Sequence, residues 1–164
     1  MVSNQRWSDS DHLGRVSAQR FVDACSAIGY QCRQSTRHED INYHIDYWVM
    51  RPGGQTSVDV KGNNYPGEIW VEFINVRGND GWLFGQAEYI AFDIEAIQGL
   101  AMVSRTELLA LCERLVVKEF VPKQQAYHKL YNREGRQDVI SRLELIDIAP
   151  LKTFKILNYA NTQP

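Results

Sequence analysis

The stretch INYHIDYWVMRPGGQTSVDVKG, residues 41–62, contains two segments rich in β-branched and aromatic residues on either side of a Pro-Gly-Gly sequence. Segments of this composition favour β-strands, and Pro and Gly between them favour a turn. The stretch therefore predicts a β-hairpin. A turn-rich connection, residues 61–67, follows and leads to the hydrophobic segment EIWVEFINV, residues 68–76, which predicts a third strand.

Charged residues lie at defined positions in the two hairpin segments. Successive side chains of a strand point to opposite faces, so Asp46 should share a face with His44, and Asp59 should share a face with Lys61. The hairpin would bring Asp46 close to the other pair. Two carboxylates and an amine on neighbouring buried strands are costly in a core that has no use for them. This pattern predicts a functional site on the hairpin.

The order of these residues resembles the PD-(D/E)xK nuclease superfamily, which has the restriction-endonuclease-like fold. Asp46 matches the first acidic position of its motif, and Asp59-Val60-Lys61, after a turn and before another hydrophobic strand, matches the second part. The resemblance covers roughly residues 12–95. It departs from the motif at Ile45, which stands where the name-giving Pro is expected. The resemblance implies an α/β (α+β-like) domain with a mixed β-sheet flanked by helices, spanning residues 12–164 after a loosely ordered tail, residues 1–11.

The resemblance further implies a Mg²⁺-dependent or Mn²⁺-dependent endonuclease that hydrolyses phosphodiester bonds of DNA. Hard divalent cations prefer oxygen ligands, so Asp46, Asp59 and the backbone carbonyl of Val60 are the expected ligands. Lys61 would orient or help to deprotonate the attacking water, or stabilise the transition state.

Four more residues are candidates for the same site, each with a second interpretation. Gln19 stands where the first helix of many such nucleases has a Glu that faces the metal, or it is a solvated helix residue. His44 would reach the site or a phosphate, or it is a histidine satisfied in the core. Glu72 is either an outer carboxylate of the metal site or a residue of the solvated face. Gln86 would support the attacking water or the DNA.

The missing acid at Gln19 supports a second hypothesis, in which the chain has the nuclease fold without cleavage. Such a protein would be a nucleic-acid-binding or protein-binding adaptor or inhibitor. RNA remains an alternative to DNA as the substrate. A single domain leaves little room for a separate module that reads DNA, so a homodimer or a partner protein would supply specificity. By its size, the chain is analogous to nucleases of phages and mobile elements.

One stretch of the chain, residues 118–136, is locally basic, with Tyr127 and Tyr131 interleaved among its cationic residues. The formal net charge of the chain is −2, so any contact with nucleic acid must come from such a local patch. The alternative is an ordinary solvated face. The candidates for binding phosphates are Lys118, Lys123, His128, Lys129, Arg133 and Arg136.

Composition predicts a reduced, cytoplasmic globular protein. Hydrophobic residues make up 44% and charged residues 23% of the chain, as in ordinary globular domains. Cys25, Cys32 and Cys112 lack C-x-x-C spacing and cannot all pair. An apolar run near membrane-spanning length and a signal-peptide pattern are both missing, which argues against a membrane partner. A glycine-rich phosphate loop is also missing, which excludes a P-loop NTPase.

Hydrophobic periodicity predicts the remaining elements. These are a helix over residues 11–28, a strand over 30–36, a loop over 37–40, strands over 89–94 and 100–103, a helix over 107–117, a strand over 139–148 and a closing helix or loop over 151–157.

Overall fold

A computed structural model describes residues 3–62 and 67–161, with side chains from residue 13 onward. The helices are α1 Ser3–Ala27, α2 Arg37–Tyr43, α3 Arg105–Leu115 and α4 Leu145–Ile148. The strands are β1 Gln31–Gln34, β2 Tyr47–Arg51, β3 Gly54–Lys61, β4 Glu68–Ile74, β5 Tyr89–Ile94, β6 Gly99–Ser104, β7 Val117–Phe120, β8 Lys129–Tyr131, β9 Val139–Glu144 and β10 Lys155–Asn158.

The predicted hairpin is present and belongs to a six-stranded sheet. Strands β2 and β3 pair antiparallel with Arg51 opposite Gly54, which leaves Pro52 and Gly53 as the turn. The strand order of the sheet is β1-β2-β3-β5-β6-β10, and β3 and β5 run parallel while the other pairs are antiparallel. The predicted mixed sheet with flanking helices, and with it the mixed α/β class, is confirmed.

A second sheet was not expected from the sequence. Strand β4, the predicted third strand, does not join β3 but pairs antiparallel with β9 in a four-stranded sheet of order β4-β9-β8-β7. Strand β5 occupies the free edge of β3, so β4 has to find another partner. Ile69 and Val71 of β4 are fully buried and pack in the same core as Ile90 and Phe92 of the first sheet.

The two faces of the first sheet are covered by different elements. Phe21, Ala24 and Cys25 of α1 pack on one face, together with Val58 of β3. The second sheet and α3 cover the opposite face. Because neighbouring residues of β3 alternate between the faces, Asp59 and Lys61 lie on the side of the second sheet, away from α1.

Residues 37–43 form a helix, so the prediction of a loop at 37–40 and of a strand that begins at residue 41 is wrong. The Thr36 side chain accepts a hydrogen bond from the backbone of Glu39, and the Glu39 side chain accepts one from the backbone of Thr36. This capping box stabilises the first turn of α2. The strand of the hairpin begins only at Tyr47.

Other boundaries also differ from the prediction. Residues 3–11, expected in a loosely ordered tail, are the first part of α1, whereas residues 1–2 and most of the predicted connection at 61–67 lie outside the described residues. The late strand ends at Glu144 and gives way to α4. Residues 155–158 form β10 because they complete the free edge of β6. The strands over 89–94 and 100–103 and the helix over 107–117 are confirmed.

Candidate active site

Asp46 lies directly before β2, and both its backbone and its side chain form hydrogen bonds with β3. Its backbone N–H donates to the carbonyl oxygen of Val58 at 2.9 Å, and its carboxylate Oδ2 accepts from the backbone N–H of Val60 at 2.7 Å. In an extended strand the N–H and C=O of one residue point to the same side. The carbonyl of Val60 therefore lies on the side of Asp46, as the expected third ligand requires.

Asp59 is a buried carboxylate with one unsatisfied oxygen. Its side chain is 2% exposed, and Oδ1 lies 2.8 Å from Nζ of Lys61. Oδ2 is buried and receives no hydrogen bond from any described residue while both carboxylates are ionised, and a proton on either one would join Asp59 to Asp46. Burial and the neighbouring charge of Asp46 raise the pKa of Asp59 to about 8, against the opposing effect of Lys61. A buried carboxylate oxygen without a hydrogen-bond donor is stabilised by a proton or by a cation.

Lys61 is the amine at the centre of this group. Its side chain is 27% exposed, and Nζ lies 5.1 Å from the ring centroid of Trp82. Burial lowers the pKa of Lys61, but the charges of Asp59 and Asp46 outweigh it, so the pKa is raised overall. The amine therefore remains protonated at neutral pH.

Glu72 of β4 faces Lys61 from the second sheet. Burial raises its pKa, and the charge of Lys61 and a hydrogen bond from the backbone of Trp82 oppose this increase. The charge of Arg133 acts on it as well. Glu72 is half-buried and close enough to Lys61 for the two charges to interact, and its role at a metal site stays a prediction.

Asp40 of α2, an exposed residue in the segment predicted as a loop, also belongs to this neighbourhood. Asp40 and Asp46 line one cleft of ≈ 430 Å³, together with Gly14 and Ala18 of α1. Partial burial and the charge of Asp46 raise the pKa of Asp40. The sequence signal was the Thr-x-x-Glu capping box at residues 36–39, which predicts a helix start rather than a loop.

His44 is not on the strand face that alternation predicts for it. It ends α2 in the left-handed conformation, with φ 53°, and packs closely against Gly85. Burial and the charge of Lys61 lower the pKa of His44, so its imidazole is neutral at pH 7.

The two glutamines lie outside the group of carboxylates. Gln19 is exposed, and its side chain donates to Asp23 one turn later in α1 at 2.8 Å. The residues that α1 directs to the cleft are Gly14 and Ala18. Gln86 is exposed, and its backbone N–H donates to the carbonyl oxygen of Tyr43 at 2.8 Å. A short 3₁₀ helix, Trp82–Phe84, precedes Gln86.

The carboxylates outnumber the cations in this region. We define the carboxylate cluster as Asp40, Asp46, Asp59 and Glu72 around Lys61. In residues 13–62 and 67–161 no group of three or more Asp, Glu, His or Cys side chains is arranged to hold a metal ion directly. A divalent cation would therefore take two carboxylates, Asp46 and Asp59, with the Val60 carbonyl and water, a set that Mg²⁺ accepts. The unsatisfied oxygen of Asp59 fits such an ion.

The basic stretch is largely paired with acids. Lys129 lies 2.7 Å from Glu119, His128 lies 3.1 Å from Asp147, and Arg133 is paired with buried Asp138. Lys118 and Lys123 are exposed and form none of the ion pairs found among the described residues.

The fold and the site define a mixed α/β protein with a partly buried, acid-rich cluster at the junction of two sheets. The chain matches no protein-family model, no curated protein and no solved structure. The resemblance to PD-(D/E)xK nucleases therefore stays a prediction that depends on the residues of the hairpin. No helix of the described segments is long and apolar enough to cross a membrane.

Gly81 permits the contact that holds the Trp82 turn against β4. A Cβ atom at this position would lie 2.3 Å from the backbone oxygen of Glu72, which β-pairing holds in place. We expect Gly81→Ala to lower the free energy of unfolding by about 2–3 kcal/mol, because the backbone must move to relieve the overlap. Urea denaturation would measure the change.

Gly14→Ala is the matched control for this substitution. A Cβ at residue 14 meets no atom within 4 Å, and the residue lies inside α1. Ala is the better helix former, so the free energy of unfolding should rise by roughly 0.5–1 kcal/mol. Equal stability of Gly81→Ala and the unmodified protein would contradict the close approach of Gly81 to β4.

Proposed function

We propose that the protein is a metal-dependent endodeoxyribonuclease that hydrolyses phosphodiester bonds at the carboxylate cluster. The observation that carries this proposal is the buried oxygen of Asp59, which lacks a donor and lies beside a second carboxylate and a protonated lysine. A hydrophobic core gains nothing from this arrangement, since each buried charge without a full set of partners costs free energy.

Asp46, Asp59 and the carbonyl of Val60 are the groups that would hold Mg²⁺ or Mn²⁺. When bound, such an ion neutralises phosphate charge and lowers the pKa of the attacking water molecule, which makes that water a better nucleophile. The hydrogen bond from Val60 N–H orients the carboxylate of Asp46 without occupying both of its oxygens. Asp46 thereby keeps an oxygen for the ion.

Lys61 supplies positive charge and not basicity in this mechanism. Its raised pKa keeps the amine protonated, so it is unsuited to remove a proton from water. Its contact with Asp59 and the Trp82 ring fixes its position. A preorganised ammonium can donate to the phosphate oxygens as negative charge develops on them.

Asp40 and Glu72 are outer carboxylates of the proposed site. Both lie near Lys61 or Asp46 without joining a direct three-ligand set. Mg²⁺ keeps several of its water molecules, so carboxylates at this distance would orient water by accepting hydrogen bonds. Neutral His44 can also accept or donate a proton at the edge of this group.

A second candidate function is a nuclease-fold protein that binds nucleic acid or protein and does not cleave. The observation that favours it is the composition of the cleft: α1 contributes Gly14 and Ala18 there, and not the acid that the first helix of many PD-(D/E)xK nucleases has. Two acidic ligands bind a divalent ion less tightly than three.

Supercoiled plasmid DNA distinguishes the two functions. The proposed nuclease should convert it to nicked and linear forms with Mg²⁺ or Mn²⁺ and leave it intact with EDTA. Plasmid that is bound and never nicked with either ion would favour the binding protein. A parallel reaction with single-stranded RNA would test the alternative substrate.

Metal binding should also be visible without DNA. A ligand at one hundred times its Kd stabilises the folded state by about 2.7 kcal/mol, which for a domain of this size raises Tm by roughly 5–10 °C. We expect Mn²⁺ to produce this shift in the unmodified protein and little or none in Asp46→Asn, since the amide is a weaker ligand. Differential scanning fluorimetry would measure it.

Asp23→Asn is the control for the metal titration, because it removes an exposed carboxylate of α1 outside the cluster. Its Tm shift with Mn²⁺ should equal that of the unmodified protein. Equal shifts in Asp46→Asn and Asp23→Asn would remove Asp46 from the metal site.

A further inference from the structure

A second and larger depression opens on the face of the first sheet that carries α1. We call it the tyrosine groove: a cavity of ≈ 1390 Å³ between the C-terminal half of α1 and the chain from β10 to residue 161. Tyr30, Tyr89 and Tyr159 line it. Nothing in the proposed mechanism uses these residues.

The charge of the tyrosine groove is opposite to that of the carboxylate cluster. Its described lining residues include the cations Arg51 and Lys155 and no Asp or Glu. Both cations are exposed, and neither forms one of the ion pairs of the described residues. The basic stretch differs, since Lys129 and Arg133 there are paired with acids. The groove therefore offers uncompensated positive charge to an anion.

Aromatic rings accompany these cations. Nζ of Lys155 lies 4.7 Å from the centroid of the Tyr89 ring, and Tyr30 and Tyr159 are half-buried in the same groove. A groove that combines unpaired cations with aromatic rings suits a single-stranded polynucleotide, whose phosphates meet the cations while its bases stack on the rings. The side-chain amides of Gln98 and Asn158 also line it and suit base edges better than an apolar tail.

The groove and the acidic cleft are neighbours along β3. Val58 lines the tyrosine groove, and Val60 lines the cleft that contains Asp46 and Asp40. Two residues of a strand span about 7 Å, roughly one nucleotide step. The two depressions therefore lie within a few nucleotide lengths of each other.

We propose that the tyrosine groove binds a single-stranded segment of a polynucleotide and directs it toward the acidic cleft of Asp40 and Asp46. The second half of this statement rests on the proposed nuclease function. The first half does not, because binding can be measured without cleavage.

Fluorescence anisotropy of a short fluorescein-labelled oligothymidylate, in EDTA, tests the binding. We expect the double variant Arg51→Ala, Lys155→Ala to bind at least about tenfold more weakly at low salt. The slope of log K against log salt should fall by about 1.4, the value for two lost phosphate contacts on a single strand. Both residues are exposed, and thermal unfolding would verify that the variant folds.

The matched control is Arg114→Ala, Lys152→Ala, which removes one exposed Arg and one exposed Lys that line neither the groove nor the acidic cleft. Its affinity and salt slope should stay close to those of the unmodified protein. Tyr30→Leu, which leaves the charge unchanged, should weaken binding about tenfold through lost stacking. Among the described residues Lys155 lies over the Tyr89 ring and Arg20 over the Tyr159 ring, so Tyr30 is the better test of base stacking. Three results would each overturn the groove: equal effects of the two double variants, no effect of the groove variants, or tighter binding of a fatty acid or peptide than of the oligonucleotide.

The plasmid reaction separates the two proposals. If the unmodified protein nicks plasmid and the groove variants bind the oligonucleotide unchanged, the proposed role of the groove is wrong and the proposed nuclease function stands. If the groove variants lose binding but the unmodified protein never nicks plasmid, the proposed nuclease function is wrong and the protein is one that binds single strands.

Discussion

Asp59→Ala and Lys61→Ala are each expected to lower metal-dependent nicking of plasmid DNA at least about 10²-fold. The first substitution removes a ligand and the second removes the ammonium that faces the phosphate. Lys61 Nζ lies 2.8 Å from Asp59 Oδ1, so each residue also positions the other. The losses should therefore not add in the double variant. Initial rates with Mn²⁺ in excess would give the two factors.

Two controls keep this experiment interpretable. Asp23→Ala and Lys152→Ala remove an exposed carboxylate and an exposed amine elsewhere, and they should leave the rate within about twofold, as surface substitutions do. Lys61→Arg keeps the charge but not the compact geometry, so it should retain only part of the activity. Undiminished nicking by Asp59→Ala would end the assignment of the carboxylate cluster as the catalytic site.

Asp59→Asn is expected to make the metal-free protein more stable than the unmodified protein at pH 8, and equally stable near pH 4. Burial and the charge of Asp46 raise the pKa of Asp59 to about 8, whereas an unfolded Asp titrates near 4. Between these values the folded state binds more protons than the unfolded state. The contribution of Asp59 to the free energy of unfolding therefore falls as the pH rises from about 4 to 8.

Each unit of pKa shift corresponds to about 1.4 kcal/mol, so a shift from about 4 to about 8 favours Asn by several kcal/mol. Asn also loses the ion pair with Lys61, which offsets part of this gain, so the expected difference at pH 8 is roughly 2 kcal/mol or more. Urea denaturation in EDTA at several pH values would measure it. Asp23→Asn, an exposed position, should follow the unmodified protein throughout. If the free energy of unfolding of Asp59→Asn and of the unmodified protein changed with pH in parallel, the ionisation of Asp59 would cost little and would not favour a bound cation.

Local sequence patterns were sufficient to predict the parts of the fold whose structure depends on residues close together in the sequence. The hairpin followed from its Pro-Gly turn, and β5 and α3 followed from hydrophobic periodicity. The proximity of Asp46 to Asp59 and Lys61 followed from the same hairpin, because antiparallel pairing places residues at fixed distances from the turn. Residue spacing alone can predict that kind of contact.

Residue spacing did not predict contacts between elements that are far apart in the sequence. Asp40 reaches Asp46 because α2 turns the chain back before β2, and this helix was hidden in a short polar segment. Gln19 faces solvent because the rotation of α1 is set by the packing of Phe21 and Ala24 on the sheet. The helical period predicts a stripe of buried residues but not what lies opposite it.

By itself, the sequence determined the hairpin and the closeness of two acids and an amine on it, because turn chemistry and the two-residue period act within a few residues. The tertiary structure alone decided that β4 leaves the first sheet and brings Glu72 to Lys61. It also placed an acid-free groove beside an acid-rich cleft. These features depend on which distant surfaces bury each other, and that choice is made by the packing of the whole chain.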